Sequence, residues 1–180
     1  REELGDTFEL FEGEMLLSPE RIRTKAGSPY SVFTPFSRRF RAVSTVPFPL
    51  ARPLSLPELP EDITIEESSI PTCESLGFSR NPALVRGGET AAEGRLTDFL
   101  RQRINQYGPN RDRMDLNGTS RLSADLKFGT LSARQIWHRI LGSGLRGEGP
   151  AKYSNQLLWR EFCHSSLWDR PELLEQCFQP

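Results

Sequence analysis

The chain has little of what builds a closed chemical centre. Three cysteines, Cys73, Cys163 and Cys177, are scattered without CxxC spacing, and around the two histidines, His138 and His164, carboxylates and thiols do not build a convincing ligand set, so both read as packing or surface residues. That pattern argues against a metal site and against a disulfide framework, and it fits a reduced, cytoplasmic setting. No run of 18 apolar residues occurs, so no membrane span is expected. A Walker loop, GxGxxG, HExxH and a nucleophile elbow are all missing, and no side chain is singled out as a catalytic acid, base or nucleophile. The opening Arg1-Glu2-Glu3-Leu4-Gly5 has no apolar h-region and reads as a cut made inside a domain, not as a signal peptide.

What is present is unevenly distributed. Net charge is −1, yet residues 95 to 146 hold 10 basic and 4 acidic residues, and all but one of the basic residues are Arg. Forked guanidinium groups suit phosphate contacts, although a solvated basic face explains the same count. Residues 43 to 86 hold 7 of the 14 prolines. Proline fixes φ and removes an amide donor, so this stretch is expected to be an extended interdomain linker.

Residues 1 to 42 read as mixed structure. Phe8, Leu10 and Phe11 face Met15-Leu16-Leu17 across Gly13, which suggests short strands with a turn. Pro35 opens a short basic helix over Phe36 to Arg41. From Gly87 the pattern turns helical. Leu96, Phe99, Leu100, Ile104 and Tyr107 form one apolar stripe, stopped by Gly108-Pro109. Ser132 and Gln135 make a capping box for a second helix, whose stripe is Ala133, Ile136, Trp137, Ile140 and Leu141. A Gly-rich bridge then leads to a third helix from about Asn155 to Trp168.

Three places could carry chemistry. Gly118-Thr119-Ser120-Arg121-Leu122-Ser123 concentrates hydroxyls and an Arg behind a glycine that lets the backbone approach a ligand, which is what a phosphate needs. A capped turn between helices would look the same. Tyr107 has a hydroxyl that needs a partner if buried, and Arg111, one turn later, is either a phosphate contact or a solvent-facing Arg. On the third helix Gln156, Trp159, Arg160 and Cys163 follow i, i+3, i+4, i+7 and are expected on one face. A large aromatic beside an amide and a guanidinium makes a stacking platform for a base, or else a seam between domains.

Together these residues resemble the DNA photolyase/cryptochrome family. Tyr30 to Phe36 (YSVFTPF) resembles its end-of-antenna-domain signature. Gly87-Gly88-Glu89 with Arg95-Leu96 and Phe99-Leu100 resembles the first helix of its helical domain. Asn117 to Leu131 (NGTSRLSADLKFGTL) resembles its flavin-phosphate loop, and Gln156 to Phe162 (QLLWREF) its lesion-pocket helix. The resemblance implies a mixed fold: a remnant of a Rossmann-like α/β antenna domain over 1 to 42, the linker over 43 to 86, and the start of an all-α FAD-binding domain over 87 to 180. It implies FAD contacts from Tyr107, Thr119, Ser120, Arg121, Leu122, Ser123 and Tyr153. DNA and lesion contacts would come from Arg111, Gln156, Trp159, Arg160 and Cys163.

The implied activity is that of a deoxyribodipyrimidine photo-lyase, a carbon–carbon lyase acting on pyrimidine dimers in DNA by light-driven electron transfer from reduced flavin. The implied protein is monomeric, and a second antenna chromophore, folate or deazaflavin, would sit largely outside this chain. The family's flavin-ring contacts lie in later helices, so the chain alone is expected to be inactive. Gln156 stands where many dimer photolyases carry Glu, and Tyr153 where several bacterial members carry Trp. A cryptochrome photoreceptor or a (6-4) photolyase therefore remains open, as does a flavin-free helical nucleic-acid-binding module.

Overall fold

The computed structural model describes residues 13–43, 45–55, 57–58, 71–79 and 81–178. They fall into two units, one within Arg1–Pro49 and Gly87–Pro180, the other within Leu50–Arg86. The described residues of the second unit are exposed; the turn at 73–77 is held by bonds from Ser75 to Thr72.

The first unit is helical, and no strand occurs among the described residues. Its α-helices are α1 Phe33–Val43, α2 Glu89–Asp98, α3 Tyr107–Asn110, α4 Ser123–Lys127, α5 Ala133–Gly142 and α6 Glu148–Asp169. α6 is the central post. It packs against α1, α3, α5 and the single turn Ile104–Gln106. No helix among the described residues is long and apolar enough to cross a membrane.

Each helix follows from local chemistry, with some departures. The stripe Leu96, Phe99, Leu100, Ile104 and Tyr107 is buried as expected. The chain bends to keep it so: α2 passes into a wider π turn, Phe99–Arg103, then a tighter 3₁₀ turn, before α3 restarts at Tyr107. Gly108-Pro109 does not stop the helix but lies in the first turn of α3, where a missing amide donor costs nothing. The Ser132–Gln135 capping box forms, with the Gln135 amide donating to Ser132 Oγ at 3.1 Å and the Ser132 amide to Gln135 Oε1 at 2.7 Å. Along α5, Ala133, Ile136 and Ile140 are buried, whereas Leu141 is exposed.

α6 begins at Glu148, well before the expected Asn155. Gly149 is the reason. A Cβ there would overlap the backbone carbonyl oxygen of Ile104, so only glycine lets α6 press this closely onto the preceding turn. Pro150 follows inside the first helical turn, where it is tolerated.

The N-terminal strand pair is not found among the described residues: Phe8, Leu10 and Phe11 lie outside them, and Met15 to Leu17 are not in a strand. Leu16 and Leu17 are instead buried against α6. Their amides donate to Glu161 Oε2 at 2.7 and 3.4 Å, and Arg134 Nε donates to the Leu16 carbonyl at 3.3 Å. A side-chain carboxylate here does the pairing that a neighbouring strand would otherwise supply.

Burial raises the Glu161 carboxyl from 4.5 to about 7, against the opposing pull of the Leu16 and Leu17 amides, Arg160 and Arg134. A folded pKa above the unfolded one means that the native state binds the proton more tightly. Stability should therefore fall as pH rises from 4.5 to 7, by on the order of 3 kcal/mol at about 1.4 kcal/mol per pH unit. His164, whose pKa burial lowers, contributes the opposite slope. Comparing urea midpoints of wild type and Glu161→Gln at pH 5 and pH 8 isolates the carboxyl, since both proteins keep His164. The variant should lose the fall; equal fall in both would show that Glu161 does not titrate in this window.

Candidate flavin and nucleic-acid groove

The loop between α3 and α4 is built tightly against its neighbours. At Gly118 a Cβ would overlap the carbonyl oxygen of Asn110, so the glycine permits a close approach of the loop to the end of α3. Arg121 has φ of +56°, the only non-glycine residue with positive φ among those described. Leu122 beside it is buried and anchors the loop. Past the loop, the Asp125 carboxylate of α4 accepts from Arg95 Nε and Nη2 and from Thr130 Oγ1. The Arg95 guanidinium holds its pKa below the usual carboxylate range.

Beneath the loop sits an aromatic floor. The Tyr107 and Tyr153 rings meet edge to face at 5.0 Å, and Phe99 lies 5.9 Å from Tyr107 and 4.6 Å from Tyr153. Tyr153 is buried, and its hydroxyl donates to Ser120 Oγ at 2.9 Å. Burial pushes the Tyr153 phenol up to about 12, so it stays protonated and remains the donor. The Leu122 amide also donates to Ser120 Oγ, at 3.4 Å. With both lone pairs engaged, the Ser120 hydroxyl keeps its single proton to donate, which suits an anionic oxygen.

Tyr107, Arg111, Asp112, Thr119, Gln156 and Trp159 line one open groove of about 400 Å³. The structure thus brings two residues expected at the cofactor, Tyr107 and Thr119, together with three expected at DNA. Arg111 Nε donates to Asp112 at 3.2 Å, one of five ion pairs among the described residues that engage basic residues between 95 and 146. Exposed pairs of this kind are worth about 1 kcal/mol or less, so a phosphate can displace the aspartate.

Trp159 is 43% exposed and lies flat on Phe33 of α1, with ring centroids 3.8 Å apart and planes 8° from parallel.

The other expected site residues lie elsewhere. Ser123 and Arg160 line a separate cavity of about 280 Å³ with Glu14, Leu126, Lys127 and His164. Arg160 Nη1 donates to the Glu14 carbonyl at 2.6 Å. Cys163 is exposed and lines neither cavity. Successive helical residues are about 100° apart, so Trp159 and Arg160 diverge to either side of Gln156. Among residues without a predicted role, Phe33, Asp112 and Asp125 shape the groove or its supports. Asp125 and Arg95 are 30 positions apart, and no local pattern joins them. His138, expected as a packing or surface residue, stacks on Phe48 at 4.0 Å, and its Nε2 donates to the carbonyls of Val46 and Pro47. Among the described residues no cluster of His, Cys, Asp or Glu could hold a metal ion.

The helical unit and its sequence are similar to those of known proteins. The family model described as DNA photolyase matches residues 1–55. A deoxyribodipyrimidine photo-lyase of Synechococcus sp. is 36% identical over 90% of this chain and 36% of its own length. One from Thermus thermophilus is 34% identical over 100% of this chain and 38% of its own length. A crystal structure of a bacterial class III photolyase from Agrobacterium tumefaciens superposes with a TM-score of 0.76 at 29% identity, covering 92% of this chain and 36% of that one. The chain belongs to the DNA photolyase/cryptochrome family. It spans little more than a third of the length of the relatives it matches.

Proposed function

We propose that this chain supplies the phosphate end of a flavin site and one wall of a DNA-lesion pocket in a light-driven pyrimidine-dimer repair enzyme. The observation that carries the reading is the single groove in which the Tyr107 and Thr119 hydroxyls share one space with Arg111, Gln156 and Trp159. The family relationship and the names of the relatives support it.

The residues present fit an FAD diphosphate. Thr119 offers a hydroxyl in the groove, and Ser120 offers a proton oriented by Tyr153 and Leu122. Arg121, with its backbone in the left-handed region, is exposed beside them. When bound, reduced flavin supplies the photochemical electron for opening the dimer's cyclobutane ring. This chain's own residues bind and orient. Arg111 exchanges Asp112 for a DNA phosphate, Trp159 offers its open face to a flipped base, and Gln156 offers an amide donor and acceptor at its edge. A flipped lesion has already lost part of its stacking, so extrusion into the groove favours damaged over intact pairs.

The loop's role is tested by changing Thr119 and Ser120 together to Ala in the intact protein and measuring flavin per polypeptide after purification. Each lost hydrogen bond to a charged group is worth about 1.5 to 3 kcal/mol, so occupancy should drop sharply while the helices persist. Full flavin content would make the loop a structural turn only.

A further inference from the structure

We propose that Phe33 is a positioning residue for the lesion wall: it occupies one face of Trp159 and leaves the opposite face as the only slot for a flipped base. The proposal rests on the stacking role of Trp159 given above.

The geometry is that of a half-filled sandwich. A centroid separation of 3.8 Å at 8° puts the two rings in full face contact, with no room for a base between them. Phe162 closes the side of the pair, edge to face against Phe33 at 6.1 Å and against Trp159 at 5.9 Å, and is itself backed by Phe36 at 5.4 Å. With one face and one edge of the indole covered, Trp159 is still 43% exposed and lines the groove.

α1 is held in place for this role at both ends. Arg170, just past α6, donates from Nη2 to Ser31 Oγ at 3.0 Å, before α1 begins. Arg41, near the end of α1, donates from Nη2 to Asn155 Oδ1 of α6 at 2.7 Å. Between these ties Phe36 and Phe40 are buried, so the first residue of α1 arrives against Trp159 on a fixed support. Holding the indole in one rotamer before DNA arrives removes an ordering cost at binding, and a flat apolar backing keeps water off the covered face.

The test uses Phe33→Leu, which keeps apolar bulk but has no flat face, and Phe33→Tyr, which keeps the ring. Both are made in the intact flavin-loaded protein. Dissociation constants are measured for a dimer-containing and an undamaged oligonucleotide, beside flavin content and the near-ultraviolet circular dichroism of the stacked pair. Phe33→Leu should weaken dimer binding roughly three- to tenfold, leave undamaged DNA and flavin unchanged, and remove the dichroic band of the pair. Phe33→Tyr should restore both the band and the affinity. The proposal is overturned if Phe33→Leu removes the band yet binds dimer DNA like wild type, or if it weakens both DNAs equally or loses flavin. Trp159→Ala run in parallel separates the layers: if that variant also binds dimer DNA like wild type, the stacking wall itself falls, and the role of Phe33 with it.

Discussion

Trp159→Ala in the intact, flavin-loaded protein should weaken binding to dimer-containing DNA by roughly ten- to a hundredfold, the counterpart of about 1 to 3 kcal/mol for one base stacked on an aromatic ring. Binding to undamaged DNA rests on phosphate contacts and should change little. Removal of a core tryptophan would cost about 3 to 5 kcal/mol of stability, but Trp159 is half-exposed and packed on one face and one edge, so its loss should be milder. Arg111→Ala should do the reverse. It should weaken both DNAs alike and flatten the dependence of log K on log salt by about one unit. Melting temperature and flavin content measured beside both affinities separate the cases. A Trp159→Ala protein that is flavin-free, or that loses both DNAs equally, would contradict the stacking role.

Asp125→Ala should give the largest loss of stability. Asp125 is buried, and its carboxylate takes both forked donors of Arg95 as well as the Thr130 hydroxyl. Removing one partner of a buried ion pair costs about 3 to 5 kcal/mol, and the partial exposure of Arg95 places this pair near the lower end. The pKa of Asp125 is lowered in the folded state, so its contribution is fully present above the ordinary value of 3.8 and fades as pH falls below it. Asp125→Asn keeps the shape and loses the charge, and should lie between wild type and Ala. Because α4 carries Ser123 and follows the loop directly, flavin content should fall with stability. An unchanged urea midpoint in Asp125→Ala would mean that this pair does not hold α4 in place.

Signals confined to a few neighbouring residues were readable in the sequence. The Ser132–Gln135 box and the stripe from Leu96 to Tyr107 depend on spacing within one or two turns, and both appear in the structure. What escaped depends on distant chain. Gly149 and Pro150 look like breakers by propensity, yet the nearness of Ile104 makes glycine a requirement and allows α6 to start there. Glu161 looks like an ordinary surface acid on a helix; its burial follows from Leu16 and Leu17, more than 140 residues away. The shared face assumed for Gln156, Trp159, Arg160 and Cys163 was too coarse, since an arc that wide on a helix reaches two different cavities. Phe33 lay inside a motif read for its resemblance, and only the fold places its ring against Trp159.

If the groove belongs to a light-driven dimer-repair site, as proposed, repair should depend on light. The most direct measurement is the loss of cyclobutane dimers from a defined oligonucleotide incubated with the intact, photoreduced protein, under blue light and in darkness. The protein should purify with flavin and remove dimers only when illuminated, with the rate reduced by Trp159→Ala. Dimers that persist under illumination, in a protein whose flavin is fully loaded and reduced, would contradict the repair role and point to a photoreceptor instead.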